Sequence, residues 1–81
     1  MKTADTERTT VRQILQTALD TPLEGIANPT RDEIERWDSL THVEIVFMLE
    51  ERFDVRFSEE EIVALHSLAD IVALLREKHA A

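Results

Sequence analysis

The apolar positions of this chain repeat at helical spacing in separate stretches. Val11, Ile14, Leu15, Ala18 and Leu19 follow the i, i+3, i+4, i+7, i+8 pattern of one buried helix face. Thr10 with Gln13 fits a capping box, so a first helix starts near Thr10, or earlier in the polar residues before it. A second helix is predicted from about Ser39 to Arg52, with Asp38 as its N-cap and a carboxylate that complements the helix dipole. Leu40, Val43, Ile45, Val46, Phe47, Met48, Leu49 and Phe53 cover more than one face of it, as in a central helix with neighbours on several sides. Thr41, Glu44 and Glu51 mark its narrow solvent side. Ser58-Glu59-Glu60-Glu61 is a second capping box, opening a short helix through Ile62, Val63 and Leu65. Ser67-Leu68-Ala69-Asp70 opens a last helix. Leu68, Ile71, Val72 and Leu75 form its buried stripe, with Leu74 alongside, and Lys78 and His79 suit its C-terminus.

The residues that break regular structure, Pro22, Gly25 and Pro29, all fall in one window, so residues 20–37 form the main connection. The run Phe53-Asp54-Val55-Arg56-Phe57 is too short for a strand and has no second strand to pair with, which makes it a linker. The pattern therefore predicts an all-α fold: a four-helix bundle of three longer helices and a short third one, with a long loop between helices 1 and 2. One domain over residues 1–81 is expected, with the polar residues 1–6 mobile.

Composition narrows the function. With 43% apolar residues in 81, there is enough for one modest core and not for a deep enzyme cleft. No run approaches the roughly 20 apolar residues of a membrane span, and Met1-Lys2-Thr3-Ala4-Asp5 lacks the apolar stretch of a secretory signal. Cysteine is absent, which excludes disulfides, thiolate metal sites and cysteine nucleophiles, and a cytoplasmic location is expected. The net charge of −8 is concentrated after position 38, where Arg52 and Arg56 stand against Asp38, Glu44, Glu50, Glu51, Asp54, Glu59, Glu60 and Glu61. A field of this sign repels nucleic acid and anionic lipid and attracts basic protein surfaces.

Few side chains remain for chemistry. His42, His66 and His79 share no metal-ligand spacing, and Glu59-Glu60-Glu61 points around its helix, so no metal site is expected. A single glycine excludes a Gly-rich phosphate loop. Ser39 has His42 at i+3, but no G-x-S-x-G surrounds it, so a serine hydrolase is set aside and His42 is expected to be a half-exposed surface residue. Trp37 is expected to pack the long loop against the bundle. Leu40, Val43 and Phe47 lie on one side of the second helix beside Glu44 and Glu51. They fit either plain core packing or a protein-docking patch edged by acids. Ser39 itself sits at the mouth of a helix, where N–H groups and the dipole favour a phosphate. It is either the carrier of a phosphate ester or an ordinary residue of the capping region.

Asp38-Ser39-Leu40, followed by Val43-Glu44, then Leu49-Glu50-Glu51 and Phe53-Asp54, resembles the acyl carrier protein family. Ser58-Glu59-Glu60-Glu61-Ile62 is similar to the acidic opening of that family's short third helix, and Ser67-Leu68-Ala69-Asp70-Ile71 to the start of its fourth; the likeness covers about residues 9–78. The resemblance implies a non-enzymatic carrier. Ser39, framed by Asp38 and Leu40, would bear 4′-phosphopantetheine, donated by coenzyme A through a separate phosphopantetheinyl transferase. The arm's thiol would hold acyl or aminoacyl intermediates as thioesters. Glu44 and Glu51, with Leu40, Val43 and Phe47 between them, would dock basic patches on loading and synthase enzymes, and the protein would act as a monomer. Thr41 stands where fatty-acid carriers usually have an acid, Arg52 replaces a frequent glutamate, Phe47 a common methionine, and Arg36-Trp37 precede the motif. These departures point away from housekeeping fatty-acid synthesis and towards a specialised biosynthetic pathway. The alternative is an unmodified acidic helical adaptor.

Overall fold

The computed structural model describes residues 3–80. Its four helices are α1 (Thr3–Leu19), α2 (Ser39–Phe53), α3 (Glu59–Ala64) and α4 (Leu68–Ala80), with no strand among the described residues. The predicted all-α bundle with a long first loop is what forms. Helix α1 starts before the Thr10–Gln13 box, so Thr10 lies inside the helix, buried, and caps nothing. The mobility expected of residues 1–6 falls partly on Met1 and Lys2, outside the described residues, and partly on 3–6, whose backbone is helical. The earlier start turns Glu7 inward, 3.6 Å from Arg76 on α4.

The periodic residues meet in one core. Val11, Leu15 and Leu19 of α1 pack with Ile45 and Leu49 of α2 and with Leu68, Ile71 and Leu75 of α4. Closest packing is of α1 against α2 and α4. Helix α3 contributes no fully buried residue. It is set by its cap instead: Ser58 Oγ accepts from the Glu61 N–H at 3.1 Å, and Glu61 Oε1 accepts from the Ser58 N–H at 2.8 Å. Asp54 ends α2 in the left-handed region (φ 55°).

The loop between α1 and α2 is held by side chains from distant positions. The Arg12 guanidinium donates to the carbonyls of Leu23, Ile26 and Ala27 at 3.1, 2.9 and 3.0 Å. Gly25 turns the chain there with φ of +82°, a conformation few other residues adopt cheaply. The loop then crosses the α3–α4 corner. Arg31 N–H donates to the His66 carbonyl at 2.7 Å, Leu68 N–H to that of Pro29 at 3.0 Å, and Ala69 N–H to Asn28 Oδ1 at 2.8 Å. Leu23, Ile34 and Trp37 anchor the loop in the core, so it delivers a fixed chain to the start of α2.

Candidate functional site at the start of helix α2

Asp38 is extended (φ −92°, ψ −174°), and its Oδ1 accepts from the Thr41 N–H at 2.9 Å. That bond holds the Asp38 carboxyl below the usual aspartate range. The His42 N–H donates to the Asp38 carbonyl at 2.9 Å, closing the first turn. Ser39 follows as the first helical residue. It is exposed, and its hydroxyl takes no hydrogen bond among the described residues. An exposed hydroxyl beside the amide end of a helix suits a phosphodiester sterically and electrostatically.

His42 corrects the sequence reading. It is buried, 4% exposed, and not a half-exposed surface residue. Trp37 Nε1 donates to His42 Nδ1 at 2.9 Å, and His42 Nε2 lies 2.8 Å from the Ile62 carbonyl of α3. An indole N–H can only donate, so Nδ1 must accept and Nε2 must carry the hydrogen. The imidazole is thus neutral, and burial pushes its pKa down, against an upward pull from the Ile62 carbonyl. Both nitrogens being engaged, His42 cannot serve as a base for Ser39. The signal in the sequence was Trp37: a buried indole needs an acceptor, and His42 is within reach one turn into the helix.

Residues of α2 divide between core and solvent. Ile45, Val46 and Leu49 are buried, whereas Leu40, Val43 and Phe47 are 72%, 48% and 66% exposed. Of the two readings left open for that strip, plain burial is therefore excluded. Glu44 and Glu51 are exposed beside it. Sequence reasoning missed Val63 of α3, which is 69% exposed; its place in the apolar part of a short helix gave no warning. Among the described residues no group of three or more histidine, aspartate or glutamate side chains gathers as for a metal. No described helix is long and apolar enough to cross a membrane.

Residues 9–75 match the family described as the phosphopantetheine attachment site. The chain is also 36% identical over 66 residues to "Acyl carrier protein 3" of Ralstonia nicotianae (strain ATCC BAA-1114 / GMI1000), across 80% of this chain and 76% of that protein. The unmodified adaptor gives way to these matches. Family members work with synthases and transferases in general, and they are carriers, not enzymes. With four helices and no strand among the described residues, and the matched region spanning the long loop and all of α2 and α3, this chain belongs to the acyl carrier protein family and bears 4′-phosphopantetheine as its prosthetic group.

Proposed function

We propose that Ser39 is the attachment point, and that the chain presents acyl or aminoacyl thioesters to partner enzymes of a specialised biosynthetic pathway. The observation that carries this is the exposed, unpartnered Ser39 hydroxyl on the first turn of a capped helix. Asp38 and Leu40 frame it: Asp38 fixes the turn through Thr41, and Leu40 stands open to solvent as a first apolar contact for an approaching enzyme. In transfer from coenzyme A, Ser39 Oγ forms the new bond to phosphorus and gives up its proton, while 3′,5′-adenosine bisphosphate leaves. When bound, the group supplies a thiol, which this cysteine-free chain has nowhere else.

Partner docking falls to Leu40, Val43 and Phe47 with Glu44 and Glu51. Apolar area at the centre and charge at the rim is the usual division of a protein interface. The carrier acts as a monomer on this reading, which leaves the strip open to partner enzymes. The specialised setting is supported by Thr41, Arg52 and the Arg36-Trp37 pair before the motif.

Incubation with coenzyme A, magnesium and a broad-specificity transferase is expected to add one phosphopantetheine to the intact mass, and Ser39→Ala to abolish the addition. Modification of the Ser39→Ala chain, or none of the wild type, refutes the assignment.

A further inference from the structure

Helix α3 meets the first turn of α2 where His42 reaches the Ile62 carbonyl. It buries no residue fully; Ile62 packs partly against the core and polar contacts supply the rest of its hold. At its C-terminal end the Ile62 carbonyl accepts from His42 Nε2 at 2.8 Å, and His42 Nδ1 accepts from the Trp37 indole at 2.9 Å. The two rings meet edge to edge through that bond, their centroids 6.1 Å apart and their planes 30° from parallel. Toward its start, Glu61 lies 2.9 Å from Lys78 of α4, whose ammonium sits 5.5 Å over the Phe57 ring. The corner that follows α3 is stitched to the first loop through His66 and Leu68. No buried side-chain nitrogen or oxygen among the described residues is left without a partner.

Residues three apart share a helix face, so His42 lies one turn below Ser39 on the side facing α3. An apolar chain entering the core there would part Trp37 from His42 and His42 from Ile62. It would leave an indole N–H, an imidazole and a carbonyl against methylene groups, an exchange that costs far more than a solvated hydrogen bond. A groove of about 640 Å³ lies instead at the other end of α2, lined by Phe47, Met48, Glu51 and Arg56 among others. We infer that the Trp37–His42–Ile62 contact closes the α2–α3 seam beside Ser39, so that an acyl cargo stays outside the bundle whatever its length. This rests on Ser39 being the tether.

The test loads the chain from acetyl-coenzyme A and from octanoyl-coenzyme A with a broad-specificity transferase. Intact mass verifies one addition, absent in Ser39→Ala. Two signals are then compared: the Trp37 indole N–H chemical shift, and the rate at which hydroxylamine cleaves the thioester. Both are expected to be the same for the two cargoes. A displaced indole signal or slowed cleavage in the octanoyl form overturns the inference. Trp37→Phe keeps a ring and removes the donor, and is expected to let the octanoyl chain slow its own cleavage. If a folded Trp37→Phe protein releases octanoyl as fast as acetyl, this contact is not what closes the seam. A wild-type chain that gains no mass refutes the tether, and with it the inference.

Discussion

Trp37 and His42 satisfy each other across the start of α2, and each would be costly alone. Phenylalanine at 37 leaves His42 Nδ1 without its donor in a site only 4% exposed, which is expected to lower stability by about 1–3 kcal/mol in urea unfolding. The same pair sets a pH dependence. His42 has its folded pKa pushed below the ordinary 6.5, first by burial, with the charges of Arg31 and His66 adding to the effect. The unfolded chain therefore takes up this proton first as pH falls. The histidine's contribution is complete above 6.5, declines below it, and levels off once the folded state is protonated too. Protonation at Nδ1 would set two donors against each other, so the native contact resists it. Trp37→Phe relieves that conflict while leaving the burial in place, and is expected to lessen the acid slope just below 6.5 without removing it. An unchanged slope would mean that the indole is not what keeps His42 neutral.

Helix α2 does two jobs with one apolar sequence. Leu49 is fully buried and Phe47, two residues earlier, is 66% exposed. Truncating Leu49 to alanine is expected to cost about 2–5 kcal/mol, since it opens a cavity. Phe47→Ala is expected to stay within about 0.5 kcal/mol of wild type, while weakening turnover with a partner enzyme. Urea unfolding of both variants decides it: equal losses would make Phe47 a packing residue and remove it from the docking strip. The helix can carry this burden because its ends are fixed independently of its middle. Asp38 caps its start, and Glu50 reaches past its end to accept from the Phe57 N–H at 2.9 Å.

The backbone extends over 33 × 30 × 18 Å, so its thin dimension is about two packed helix layers deep. Such a body has surface to offer and little interior, which fits a protein whose work is to be recognised. Most of its net charge of −8 lies between Asp38 and Glu61, on α2, α3 and the turn between them, so encounter with basic partners is steered from a distance. Glu44→Lys is expected to slow loading or partner turnover while leaving the unfolding curve near that of wild type. Added salt is expected to slow the wild type more than the variant, because screening acts on an attraction the variant has partly lost. Rates that ignore both the substitution and the salt would move the docking face elsewhere.

What could be read without coordinates is what depends on a few adjacent residues. Asp38 as a cap, the Ser58–Glu61 box and the 3.6-residue apolar spacing are all contacts within a turn, and they set the number, order and approximate bounds of the helices. The Asp38-Ser39-Leu40 motif and the offsets after it are likewise local, which is why the family was legible. The start of α1 was legible only as near Thr10 or earlier, and the earlier one forms; Thr3–Thr9 carries no strong stop signal and Thr10 mimics a cap. Only packing could say which apolar residues of α2 stay wet, since Leu40 and Leu49 are chemically the same residue on opposite sides of one helix. Likewise, Arg12 reaches carbonyls up to 15 positions away and His42 one 20 positions away. Those bonds exist because the folded bundle brings the partners together, and no short window of sequence contains both ends.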